Sequence, residues 1–122
     1  MNTVLWVCQI VLAGVFLYSG VNKAFRPVNE LVARGQTGVE GLPASLVHTI
    51  GALELLGVVG LVVPWWSQIV PQLTPIAASC LAVVVLLATG IHIKRRELGT
   101  AIGTATLVAL CALVAMGRFR NL

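Results

Sequence analysis

The sequence predicts an all-α integral membrane protein, a four-helix bundle with a short interfacial helix between its first and second spans. Three observations lead there. The first is composition: 58% of the 122 residues are apolar, only 10% are charged, and the mean hydropathy is +0.98. An average soluble domain is about 45–50% apolar and about 25% charged. A chain this small has a large surface for its volume and needs polar groups to cover it in water. The second is where the charges sit. The eight basic residues and four glutamates cluster between long apolar stretches, and only Glu54 falls inside one. The third is length: each stretch is roughly 20 residues, enough for a helix to cross about 30 Å of hydrocarbon. None shows the alternation of a barrel strand. A soluble globular protein, a disordered chain and a disulfide-stapled module are excluded together.

Residues 1–122 read as one transmembrane domain with spans at about 3–22, 44–63, 70–93 and 99–117. The first span has no basic segment before it and no A-x-A cleavage pattern after it, so it is expected to be retained rather than cleaved. The long first connection contains Pro27 followed by Val28–Arg34 and then Gly35. This reads as a short helix lying in the membrane interface, with Phe25, Val28, Leu31 and Val32 toward lipid and Glu30 and Arg34 toward water. An ordinary loop turn is the alternative. The second span is expected to stop at Pro64-Trp65-Trp66, where proline ends the helix and the indoles suit the headgroup level. Pro71 and Pro75 open the third span, Lys94-Arg95-Arg96 close it, and Gly99 opens the fourth.

Small residues allow close packing of helices in lipid. Gly51, Gly57 and Gly60 supply them in the second span; Gly99 and Gly103, with Ala101, Ala105 and Ala109, do so in the fourth. Cys8, Cys80 and Cys111 all lie within spans, form no C-x-x-C pair and read as small apolar fillers.

Orientation follows from the basic residues of the short loops. Connections 23–43 and 94–98 carry six of them, and the other face carries only Arg118 and Arg120. Both termini are expected outside and loops 23–43 and 94–98 in the cytoplasm. A C-terminal reporter active only in the cytoplasm should stay silent; strong activity would reverse the assignment. The net charge of +4 belongs to this fringe and suits anionic lipid, so no nucleic-acid partner is expected.

The polar groups within the spans gather at one end. Tyr18, Ser19, Asn22 and Lys23 end the first span, His48 lies near the start of the second, Thr89 and His92 lie near the end of the third, and Thr100 and Thr104 open the fourth. Glu54 lies deeper, about 15 Å from that face. A carboxylate at that depth is costly unless paired, solvated or protonated. Glu54 is therefore expected to be neutral or hydrogen-bonded to Tyr18, His48 or a bound molecule. Tyr18, Ser19, Asn22, Lys23, His48, Glu54, Thr89 and His92 form the candidate ligand-binding pocket. Two plainer readings stay open: Glu54 as an interhelical hydrogen bond that fixes packing, and each histidine as a merely hydrogen-bonded side chain. No catalytic set and no metal site are read: Asp is absent, and there is no H-x-x-x-H, E-x-x-H, C-x-x-C-H or P-loop spacing.

Phe16-Leu17-Tyr18-Ser19-Gly20-Val21-Asn22-Lys23, Gly41-Leu42-Pro43-Ala44, Gly51-Ala52-Leu53-Glu54-Leu55-Leu56-Gly57 and Pro64-Trp65 together resemble the DoxX-like family of small membrane proteins, over about residues 5–117. The resemblance implies four transmembrane helices in a bacterial cytoplasmic membrane. That family is named for the small subunit of a thiosulfate:quinone oxidoreductase, and some relatives are associated with oxidative-stress complexes; most have no assigned activity. The expectation is an accessory or quinone-interacting subunit of a membrane redox or oxidative-stress assembly. It would hold no intrinsic cofactor, would bind a quinone in the pocket, and would meet the lipid bilayer and redox-complex partners or a second copy of itself. A small-solute or lipid permease or binding protein, and a non-catalytic scaffold, are the alternatives, and whether the chain is an enzyme at all is left open.

Overall fold

The computed structural model describes residues 1–122 as helices and short connections. α1 spans Asn2–Phe25, α2 Val28–Ala33, α3 Ala44–Ser67, α4 Leu73–Lys94 and α5 Leu98–Arg120, with a single 3-10 turn at Thr37–Val39. α1, α3, α4 and α5 are each long and apolar enough to cross a membrane. They pack in a ring: α1 on α3, α3 on α4, α4 on α5 and α5 back on α1, with α1–α3 and α4–α5 the two tightest pairs. Both termini and the α3–α4 connection lie at one end of the bundle, here the terminal end. The α1–α3 and α4–α5 connections lie at the other, the loop end.

The core is narrow. Leu12, Phe16, Leu61, Leu81, Cys111 and Val114 fill the axis, while Val7, Leu56, Leu87, Ile102 and Met116 point outward and are exposed. A helix that is apolar all round has no polar face to offer water, which is what a lipid-facing bundle requires. All three cysteines are unpaired; Cys8 and Cys111 are core filler and Cys80 is on the outside.

Close helix contact runs through α3. A methyl group added at Gly57 would lie 2.8 Å from Leu81, and one at Gly60 2.7 Å from Ala77, so α4 approaches α3 along a glycine track. Gly51 does the same toward α1. The glycines of α5 do not: Gly99 and Gly103 face open space, and of the small residues expected to pack there Ala101 is the one that is buried. α5 packs closely on α4 along its length, and near its far end Gly117 receives Leu5 of α1.

Pro64 does not end α3, as the sequence suggested; the helix continues to Ser67 and stops at Gln68 in a left-handed conformation, φ 59°. Proline removes the N–H that the Gly60 carbonyl would accept. The Thr74 hydroxyl of α4 donates to that carbonyl at 2.9 Å, and the Gln9 side-chain amide of α1 donates to the carbonyl of Leu61. Neighbouring side chains thus satisfy a backbone that lipid could not.

The short helix forms, but does not face lipid as expected. Pro27 caps it, and Leu31 is fully buried against Val39 and Val47, with Val28 and Val32 packed on the same cluster. The connection folds back onto the start of α3 because this apolar triad has a protein surface available to it. Glu30 keeps its polar role, accepting from Arg26 at 2.9 Å and Arg34 at 3.5 Å. Only Phe25 stays exposed.

Candidate functional site

α1 runs further than the sequence indicated, and this builds the site. α1 continues past residue 22, so Lys23 lies within its last turn. A Cβ at Gly51 would sit 2.4 Å from the Ala24 nitrogen and 2.8 Å from the Lys23 carbonyl carbon. Only glycine permits that approach, and it sets the root of the Lys23 side chain against α3. One turn deeper, Lys23 Nζ donates to Glu54 Oε1 at 2.8 Å, with the two side chains 16% and 3% exposed. Glu54 is therefore held by Lys23, not by Tyr18 or His48. Its second oxygen, Oε2, is buried without any partner.

His48 secures the turn above. The Lys23 carbonyl would ordinarily accept from the residue four positions on, but that residue is Pro27 and has no N–H. His48 Nδ1 lies 2.8 Å from this carbonyl. A carbonyl only accepts, so Nδ1 carries the proton. His48 acts here as a backbone cap.

Across the bundle, His92 Nδ1 lies 2.9 Å from Glu97 Oε1, and the Thr37 hydroxyl donates to Glu97 Oε2 at 2.6 Å. Arg95 reaches both Glu97 Oε1, at 3.3 Å, and Glu40 Oε2, at 3.0 Å. These contacts latch segment 36–40 onto the α4–α5 turn. The segment lies between Gly35 and Gly41, both in the left-handed region at φ +96° and +82°, which other residues rarely adopt. The Thr37 hydroxyl, then the His92 ring, hold the Glu97 carboxyl below its usual pKa.

That shift has a direction in pH. Above the ordinary carboxylate range Glu97 is ionised whether or not the latch is formed, and its stabilisation is complete. The stabilisation is lost as pH falls through the lowered folded value. Amide exchange of residues 36–40, corrected for intrinsic rates, should therefore accelerate in acid. Glu97→Gln should exchange fast already at neutral pH and lose the step. Unchanged protection of the wild-type segment in acid would contradict the latch.

Between the two helix pairs lies a cavity of about 530 Å³, bounded by α1, α3, α4, α5 and residues 35–39. Its walls are apolar, with Phe16, Ile50, Val85, Ile91 and Leu107 among them, and Ser19, Lys23, Glu54, His92, Thr100 and Thr104 add polar groups. Leu46 of α3 and Leu87 of α4 line it and are also exposed.

Of the eight residues singled out in the sequence, Ser19, Lys23, Glu54 and His92 line this cavity. Thr89 lies just behind it, donating to the Val85 carbonyl at 2.9 Å and 2.8 Å from the Thr104 hydroxyl. His48 lies behind Lys23. Tyr18 is 65% exposed and points away. Asn22 is buried but spends its amide on the Tyr18 carbonyl at 2.7 Å and its oxygen on Arg26 at 2.6 Å. The strap Gly35–Val39 was not foreseen; a glycine-rich loop carries no pattern that says which cavity it closes. No three His, Cys, Asp or Glu side chains converge as a metal site would need.

A second polar cluster, at the terminal end, was also missed. Arg118 was expected beyond the fourth span, yet α5 extends through it and buries it to 1% exposure. Its Nε donates to Gln9 Oε1 and its Nη1 to Asn2 Oδ1, both at 2.7 Å, and its guanidinium lies 4.4 Å from the Trp65 ring centre and 5.4 Å from that of Trp6. Two neutral oxygens and two indole faces stand where a counter-ion is usual. Gln9, an amide well inside the first span, was the one sequence signal for it.

Four apolar helices, an internal ion pair and an apolar cavity with a polar end define a multi-pass membrane protein of the small helical-bundle class. The chain belongs to the DoxX-like family, whose model matches residues 7–116. That stretch takes in the Lys23–Glu54 pair, the Gly51 contact and the cavity walls. No curated protein and no solved structure matches the chain.

Proposed function

We propose that this chain is a membrane subunit that binds a quinone or similarly amphipathic ring molecule in the loop-end cavity, as an accessory component of a redox or oxidative-stress assembly. The observation that carries the reading is the Lys23–Glu54 pair beside an apolar cavity, with one carboxylate oxygen left buried and unpartnered. A buried polar atom without a partner is costly, and natural proteins rarely keep one without a use. A cavity of about 530 Å³ is within the range of small-molecule pockets, and largely apolar walls with a few polar groups are their usual chemistry. An aromatic ring would lie against Phe16 and Ile50, and its polar head would reach Lys23 and Glu54. Wall residues that are also exposed on the bundle's surface, such as Leu46 and Leu87, suit a molecule that arrives from lipid. Electrons for any redox chemistry would come from a partner protein. Membership of the DoxX-like family supports a bacterial cytoplasmic membrane, and the charge pattern supports both termini outside, an orientation that would put the cavity and its latch in the cytoplasmic half.

Gentle extraction followed by mass spectrometry of co-purifying small molecules tests this directly. The expected result is a quinone-class lipid with the wild-type protein, reduced about tenfold or more in Glu54→Ala. A homodimer with solute flux and no bound quinone would favour a permease. A stoichiometric protein partner that Glu54→Ala leaves unchanged would favour a scaffold.

A further inference from the structure

We infer that the outer face of α1 carries a second binding site, for the phosphate and one acyl chain of an anionic phospholipid. The loop-end cavity takes Phe16, Ser19 and Lys23 of α1; this site lies on the other side of the helix and does not depend on what the cavity binds. A groove of about 430 Å³ runs along that face. Its apolar part is Gly14, Leu17 and Val21, all exposed and spaced by three and four residues, so they share one face of the helix. Gly14 leaves the groove open, since a methyl group there would meet nothing within 4 Å. From Gly14 to Arg26 the chain rises about 18 Å, on the order of the ~15 Å depth of one hydrocarbon leaflet.

The groove ends on Arg26, which follows α1, and Arg34, which ends α2. Both donate to the same atom, Glu30 Oε1, at 2.9 and 3.5 Å, and this draws the two guanidinium groups together. Two positive charges against one negative leave one positive charge, which matches the single negative charge of a phosphodiester. Arg26 also donates from Nε to Asn22 Oδ1 at 2.6 Å, which fixes its direction. Arg26 thus spends Nε and Nη1 within the protein and Arg34 only Nη2; Nη2 of the first and Nε and Nη1 of the second remain for a ligand, on side chains that are exposed. Guanidinium forks match phosphate oxygens, and basic pockets beside membrane spans take anionic headgroups. Tyr18 lines the groove between its apolar and basic parts, at a level where a half-polar ring is suited. Tyr18 and Asn22, which the cavity leaves out, therefore belong to this site. A soluble anion would use the arginines alone; the exposed apolar strip running on from them fits a lipid.

Native mass spectrometry of the full chain in mild detergent, titrated with phosphatidylglycerol and with phosphatidylcholine of the same acyl chains, tests the site. One phosphatidylglycerol is expected to bind at least about tenfold more tightly than phosphatidylcholine. Arg26→Gln with Arg34→Gln should bring the two lipids within about threefold of each other. Lys94→Gln with Arg96→Gln removes the same charge from exposed positions at the same end of the bundle and should leave phosphatidylglycerol binding unchanged. Gly14→Leu fills the groove and should weaken phosphatidylglycerol binding about fivefold or more while thermal unfolding stays where it is. Glycerol phosphate, the headgroup without chains, should fail to displace the lipid at equal concentration. Equal losses in the two charge-removing variants would mean a diffuse basic fringe and overturn the site. Equal binding of the two lipids by the wild-type chain, full binding by Gly14→Leu, or displacement by glycerol phosphate would overturn it as well.

Discussion

Gly51→Ala is expected to split α1 from α3 and to remove ligand binding with it. The added methyl group would lie 2.4 Å from the Ala24 nitrogen and 2.8 Å from both the carbonyl carbon and the Cβ of Lys23. These are backbone atoms and the root of a side chain, and they cannot swing aside as a side-chain tip can. The helices must part by an ångström or more, at a cost near the upper end of the usual 1–3 kcal/mol for overpacking. The same movement draws Lys23 Nζ away from Glu54 and the Lys23 carbonyl away from His48. Thermal unfolding in a mild detergent measures the first effect, and ring-ligand binding the second. Gly103→Ala is the control, because a methyl group there meets nothing within 4 Å. Equal losses in the two variants would show that Gly51 is not a close-approach position.

The second large effect is expected at the ion pair. Lys23→Met leaves the Glu54 carboxylate buried with neither oxygen partnered, and breaking one half of a buried pair costs about 3–5 kcal/mol. Removing both halves is milder, since two apolar side chains of similar size need no partners. Lys23→Met combined with Glu54→Leu should therefore recover most of the stability lost by Lys23→Met alone, while the cavity no longer binds its ligand. A double-mutant cycle from reversible unfolding should give a coupling of about 2 kcal/mol or more, within the range for side chains in direct contact. Additive effects would mean that the two groups do not depend on each other. Recovery of stability without recovery of binding would separate what the pair does for the fold from what it does for the ligand.

The same pair shows how far the sequence could be read. Glu54 stands out because a carboxylate in an apolar run has few structural reasons to be there. Ser19, Lys23 and His92 could be grouped with it because helical rise converts position into depth, and all fall at one end. Their pairing could not be read. It depends on the angle and distance at which α1 crosses α3, and Gly51 sets both. Tyr18 and Asn22 have the right depth but the wrong direction, and no charge or hydropathy pattern separates them from Ser19 and Lys23. His48 seemed as promising as His92; its ring instead caps a carbonyl that Pro27 leaves free.

Arg118 is the clearest case of a misplaced residue. Hydropathy set the end of the fourth span at 117, because an arginine lowers the average wherever it sits. Once Gln9, Asn2, Trp6 and Trp65 surround it, its burial at the terminal end becomes tolerable. Pro64 misled for a related reason. A helix stops at proline when nothing else can satisfy the carbonyl it releases, and here Thr74 can.

Composition and spacing alone settled that this is a membrane bundle of four spans, with one group of polar side chains gathered at its loop end. Those conclusions rest on transfer free energy and helix rise, which are properties of local sequence. The partner of Glu54, the strap over the cavity, the inward turn of Leu31 and the burial of Arg118 emerged only once the helices were packed. Each depends on residues far apart in the chain meeting across a few ångströms. In lipid that meeting is governed by close packing and by the satisfaction of a few polar atoms, neither of which leaves a periodic mark in the sequence.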